Sequence, residues 1–120
     1  MIFLIQLSVA LAADFTVVDQ KVVHHVLPNG LDVLWIDDNN PVIDLYTVYA
    51  TGAYMDSKPH LAHMTEHTMF CTKDGAYDDI IKQYADETNA YTRDEHTTYY
   101  TTNIPNEHFQ TPLELDKYRE

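Results

Sequence analysis

Between Lys21 and Thr51 the apolar residues fall into three short runs separated by turn chemistry. Val22 to Leu27 is β-branched and apolar, Pro28-Asn29-Gly30 comes next, and Leu31 to Ile36 (LDVLWI) resumes the strand pattern. Two such runs about an Asn-Gly pair predict a β-hairpin, because these residues reach the positive φ that a tight turn needs. Asp37 to Asn40 reads as a polar turn left through Pro41, and Val42 to Ala50 (VIDLYTVYA) is a third β-rich run ended by Thr51-Gly52. The chain is therefore expected to open with an antiparallel meander of three strands.

The period then changes. Asp56-Ser57-Lys58-Pro59 offers a capping side chain and a proline suited to a first helical turn. From Leu61 to Phe70 the apolar residues Leu61, Met64, Met69 and Phe70 fit a helix better than a strand. Tyr77 to Glu87 predicts a second helix with Ile80, Ile81 and Tyr84 on one side, and Thr97 to Thr102 (TTYYTT) is strongly β-prone. A last helical stretch is expected from Pro105 to Glu120, kinked or interrupted at Pro112. Strands first and helices interleaved later predict an α+β fold, an antiparallel sheet with helices packed on it.

Composition narrows the class. The 120 residues are 45% hydrophobic and 12% aromatic, too apolar for a disordered tail, and the length allows one domain at most. Nineteen Asp and Glu against seven Lys and Arg give a net charge of −12. Such a chain repels phosphate backbones and anionic lipid, which argues against nucleic acid as a partner. The opening MIFLIQLSVALAAD is apolar from Ile2 to Val9 and carries the small-x-small pattern Ala10-Leu11-Ala12 before Asp14. It reads as a secretory signal peptide over residues 1–13, too short for a membrane span, and predicts an exported protein beginning near Asp14. The absence of Lys or Arg before Lys21 leaves a buried N-terminal strand as the competing reading. Cys71 is the single cysteine, so no disulfide framework is available, and its apolar neighbours predict a small buried hydrophobe.

The chemistry is concentrated in Leu61 to Phe70, LAHMTEHTMF. On a helix, His63 and His67 are one turn apart and project from one face, close enough to share a cation. Zinc accepts neutral imidazole nitrogen, and Glu66 beside the pair is a carboxylate able to take a proton from water that the metal activates. With this content of His and Glu, H-x-x-E-H arises by chance in roughly one such chain in fifty, so the spacing favours a metal site over two solvated histidines. His24 and His25 are adjacent and point to opposite faces of a strand; His60, His96 and His108 read as solvated or capping residues.

The motif and its surroundings resemble the pitrilysin/insulinase family of zinc metallopeptidases, whose inverted motif is H-x-x-E-H. LPNGLDVLWIDDNNPVIDLYTVYATGA looks like that family's opening hairpin and third strand, and LAHMTEHTMF like its active-site helix. ETNAYTRDEHTTYYTT looks like its Asn-Ala-x-Thr segment, and IPNEHFQTPLELDKYRE resembles its next helix. The resemblance implies that His63 and His67 are zinc ligands, that Glu66 is the general base, and that Asn89 and Ala90 line the groove for an extended peptide. It further implies that residues 14–120 are the N-terminal part of one peptidase domain. The third zinc ligand, a glutamate on a later helix, would lie beyond Glu120, and a second homologous domain would close the site. Glu114 and Glu120 match no ligand position. Such a part is expected to be inactive alone; the rival expectation is a non-catalytic family member acting as a partner or structural subunit. His60, Thr72 and Ala85 stand where the family has glycine.

Overall fold

A computed structural model describes residues 2–6, 21–72 and 75–117. Its strands are β1 (Ile2–Gln6), β2 (Lys21–Val26), β3 (Asp32–Asp37), β4 (Val42–Tyr49), β5 (Cys71–Thr72), β6 (Gly75–Ala76), β7 (Glu87–Thr92) and β8 (Thr97–Pro105). The helices are α1 (Leu61–Thr68), α2 (Tyr77–Ile81) and α3 (Gln110–Asp116), with single 3-10 turns at Ala53–Met55 and Asn106–His108. Six strands form one sheet in the order β2-β3-β1-β4-β8-β7, and β5 and β6 pair separately. The architecture is α+β, as the pattern of runs implies.

The β2–β3 hairpin forms where Asn29-Gly30 places it. Gly30 N–H donates to the Leu27 carbonyl at 2.8 Å, Leu27 N–H donates to the Leu31 carbonyl at 2.8 Å, and Gly30 sits at φ 86. Without a Cβ it adopts that left-handed conformation at little cost.

The expected three-strand meander does not form. β3 and β4 do not pair; β1 lies between them, antiparallel to β3 (Phe3 opposite Leu34) and parallel to β4 (Phe3 opposite Tyr46). The inner edges of β3 and β4 each present a row of backbone groups that need partners, and a third strand satisfies both rows. Residues 38–41 therefore cross two strand spacings, roughly 10 Å, within the reach of four extended residues. Asx turns steer this crossing: Asn39 N–H donates to Asp37 and Asn40 N–H to Asp38, with Asn39 at φ 57. The sheet is thus antiparallel except at the β1–β4 pairing. Ile2–Gln6 is the described part of the proposed signal segment; its cleavage pattern at Ala10-Leu11-Ala12 lies outside the described residues.

β4 and β8 form the centre. Their ladder runs from Val42 opposite Pro105 to Tyr49 opposite Thr97, with a bulge between Ile43 and Leu45. At the bulge Asn103, at φ 55, donates its N–H to Asp44 at 2.9 Å. Ile43, Leu45 and Ile104 make the buried core, packed by Ala85 and Phe109. Helices cover the face that carries Thr47, Tyr99 and Ala90: α3 through a hydrogen bond from Thr47 to Asp116, α1 through Glu66 against Thr92.

Two helices differ from expectation. α2 stops at Ile81 rather than Glu87, because Asp86 N–H already bonds the Thr102 carbonyl and Glu87 opens β7. Pro105 ends β8 instead of opening a helix, and Pro112 does not kink α3; it lies buried in the first turn, where a missing N–H costs no helical bond. Cys71 is exposed in β5, not a buried hydrophobe, because the short β5–β6 pair stands outside the main sheet. Among the described residues no helix is long and apolar enough to cross a membrane.

Candidate functional site

Helix α1 is capped from a distance. His60 occupies the N-cap position at φ 66 and contributes no side-chain cap bond, while Asp56 Oδ1 accepts the Ala62 N–H at 2.8 Å. An acidic side chain at this end also complements the partial positive charge of the helix N-terminus. The left-handed backbone at His60 accounts for the glycine found there in the resembled family. Thr72, by contrast, falls in β5, beyond the C-cap at Met69.

The helix presents two different surfaces. His63 and His67 are exposed, with ring centroids 4.8 Å apart and planes tilted by 36°. Glu66 is only 6% exposed and is turned to the sheet, where its Oε2 accepts the Thr92 hydroxyl at 2.5 Å. Glu66 and His63 line one cleft of about 340 Å³, together with Ala53, Asp56, His60, Ala90, Tyr91 and Thr92. The fold thus brings His63, His67, Glu66 and Ala90 to one side of the sheet. His60, read from the sequence as a solvated or capping residue, joins the cleft wall.

Asn89 is separated from that group. It lies in β7, opposite Tyr100, while Ala90 is opposite Tyr99. Alternation therefore puts Asn89 on the sheet face away from α1, though its Oδ1 accepts the Ala90 N–H at 2.9 Å. β7 is the outer strand of the described sheet, so its far edge is open to another strand.

The turn from β7 to β8 is clamped to the segment after β4. Ala53 and Tyr54 N–H groups donate to the Arg93 and Asp94 carbonyls at 2.9 and 2.8 Å. Gly52 makes this approach possible: a Cβ there would lie 2.5 Å from His96 N and 2.7 Å from the Asp94 carbonyl carbon. The sequence marks Gly52 as a strand terminator; its contact across the sheet lies beyond any local pattern.

The remaining histidines serve elsewhere. His24 Nε2 meets Asp32 Oδ1 at 2.7 Å, His96 packs edge-on against Tyr91, and His108 against Tyr84. Glu114 is bonded by Gln110 at 2.8 Å, and Glu120 lies outside the described residues. Among the described residues no group of three or more His, Cys, Asp or Glu is arranged to hold a metal ion. Two adjacent imidazoles on one helix are of the donor type that zinc accepts, and they are fewer than the three protein ligands of a catalytic zinc site.

As a class, fold and site define an α+β unit with a two-histidine, one-glutamate helix packed beside an open strand edge. The chain is similar to insulin-degrading enzyme of Mus musculus, 30% identical over 100 residues, which cover 73% of this chain and 9% of the relative. It therefore spans under a tenth of that relative's length. No family model matches. The similarity supports the pitrilysin/insulinase family that LAHMTEHTMF and its neighbouring segments resemble.

Proposed function

We propose that this chain carries the two-histidine half of the zinc site, and the general base, of a metalloendopeptidase of the pitrilysin/insulinase family. The observation that supports this most is the pairing of His63 and His67 one helical turn apart, rings 4.8 Å apart, with Glu66 between them in sequence and in the same cleft as His63. His63 and His67 would hold the metal through neutral imidazole nitrogens. Bound zinc supplies a Lewis acid that polarises a peptide carbonyl and lowers the pKa of water toward neutrality. Glu66 takes the proton from the attacking water and returns it to the leaving amine. The open edge of β7 holds the peptide as an added strand, with Ala90 beside the cleft and Asn89 bracing the Ala90 N–H. A catalytic zinc site uses three protein ligands. His63 and His67 supply two of these, and no described residue is proposed as the third.

Calorimetric zinc titration of the chain, with His63→Ala and His67→Ala, tests the half-site. Weak binding lost in either variant is expected; binding unchanged in both would overturn it. A fluorogenic-peptide assay tests the activity, on the chain and on a longer product containing it. The chain alone should not turn over, and the longer product should lose cleavage in Glu66→Gln. A longer product that binds zinc tightly yet cleaves no peptide would make the chain part of a non-catalytic partner subunit.

Export is a separate proposal, resting on Ala10-Leu11-Ala12 before Asp14. Cleavage there would remove β1 and leave the facing edges of β3 and β4 to be paired otherwise. Mass spectrometry of protein recovered from an exporting host decides it, and an intact Met1 counts against a signal peptide.

A further inference from the structure

We infer that Thr92 is a positioning residue for Glu66, fixing which carboxylate oxygen is available for proton transfer; this rests on the peptidase reading of Glu66. Glu66 as a whole is 6% exposed, and a carboxylate on a largely buried side chain needs donors from the protein. The Thr92 hydroxyl, on the β7 face that meets α1, stands 2.5 Å from Oε2, within the short range of hydroxyl-to-carboxylate bonds.

The direction of that bond follows from its partners, since the hydroxyl is the donor and the carboxylate oxygen accepts. Thr92 has one hydroxyl proton and two neighbours, Glu66 at 2.5 Å and Thr97 Oγ1 at 3.4 Å. Thr97, itself 5% exposed, gives its own proton to the Thr51 carbonyl at 2.9 Å. The nearer acceptor, the Glu66 carboxylate, takes the Thr92 proton. The four groups form a line from the end of β4 through β8 and β7 to α1. Its anchor is the segment that Gly52 allows to lie against residues 93–96. With Oε2 held by Thr92, Oε1 is the oxygen left for water in the cleft that Glu66 shares with His63. A freely rotating carboxylate would lose this orientation, and proton transfer depends steeply on geometry.

The test compares Thr92→Val, which keeps the shape and removes the donor, with Thr92→Ala and Thr92→Ser. In the chain itself, NMR scalar couplings report whether the Glu66 side chain holds one rotamer. One rotamer is expected in the parent and in Thr92→Ser, and rotamer averaging in Thr92→Val and Thr92→Ala, with zinc affinity unchanged throughout. In a longer product that cleaves peptide, kcat should fall about tenfold or more in Thr92→Val with KM unchanged, and Thr92→Ser should restore it. A single Glu66 rotamer kept in both Val and Ala variants overturns the inference, as does failure of Thr92→Ser to restore order. A chain that binds no zinc would sink the peptidase reading while leaving the rotamer result standing, so the two failures are distinguishable.

Discussion

The two ends of the six-stranded sheet are built differently. At the β2–β3 end, Val23, Val26 and Trp35 are 42%, 53% and 37% exposed. Beyond the ladder and the turn, the His24–Asp32 pair links side chains across this hairpin. At the β7–β8 end, Thr97, Thr98, Tyr99 and Thr101 are buried, and hydroxyls link strand to strand and strand to helix. The β2–β3 hairpin keeps several large side chains in contact with water and, among the described residues, has few side-chain bonds to other elements. A cleft is lined by side chains from several elements at once, so its shape depends on the contacts that hold those elements together.

The sharpest way to break this comparison is to cut side chains at each place. Leu45→Ala or Ile104→Ala should cost about 2–5 kcal/mol, since both are almost fully buried and the site cannot collapse around the loss. Val23→Ala on β2 should cost under about 1 kcal/mol in the same urea titration. Equal losses would mean that the exposed end carries as much of the stability as the core.

A smaller effect is expected at Gly52. Gly52→Ala forces a Cβ against the backbone of residues 93–96 and should cost about 1–3 kcal/mol. Amide exchange at Ala53, Tyr54 and Arg93 should accelerate, while the β2–β3 amides keep their rates. Unchanged exchange at those three amides would show that the clamp is not what holds the turn.

The cap of α1 contributes less. Asp56→Ala removes the acceptor of the Ala62 N–H and should cost about 1 kcal/mol, read as fraying of the first turn of α1. Asp32→Asn, which weakens the exposed pair to His24, should change stability by a few tenths of a kcal/mol at most. A reversal of that order would contradict the difference between the two ends.

The smallest effect is electrostatic. Tyr46 and Tyr100 stack with centroids 6.0 Å apart on the face away from the helices. Both phenols are held above the ordinary value of 10.0, chiefly by partial burial. The charge of Asp44 adds to this at Tyr46, and the hydrogen bond and charge of Glu87 add to it at Tyr100. A phenol harder to ionise folded than unfolded contributes stability that is complete below pH 10 and is lost as pH rises through its folded value. Unfolding midpoints should therefore decline above pH 10, and Tyr46→Phe or Tyr100→Phe should make that decline shallower. An unchanged slope in both variants would place the alkaline loss elsewhere.

What the sequence determined by itself is the local chemistry. Asn29-Gly30 sets a hairpin turn, LAHMTEHT a helix with His63 and His67 together, and TTYYTT a β-prone run, because turn chemistry, helical spacing and β-propensity are each read from a few neighbouring residues. Tertiary structure decided the rest. β1 entered between β3 and β4, Asp86 and Glu87 left the helical pattern to pair with β8, and Pro112 settled into a first turn where its missing donor does no harm. Asn89, grouped by sequence with Ala90, fell on the opposite face once β7 was known to be a strand. Glu66, legible as a carboxylate beside two histidines, acquired its orientation from Thr92, 26 residues on, and α3 met the sheet through Thr47 and Asp116, 69 residues apart. No spacing rule reaches such distances: partners this far apart meet only after the sheet has brought their strands together.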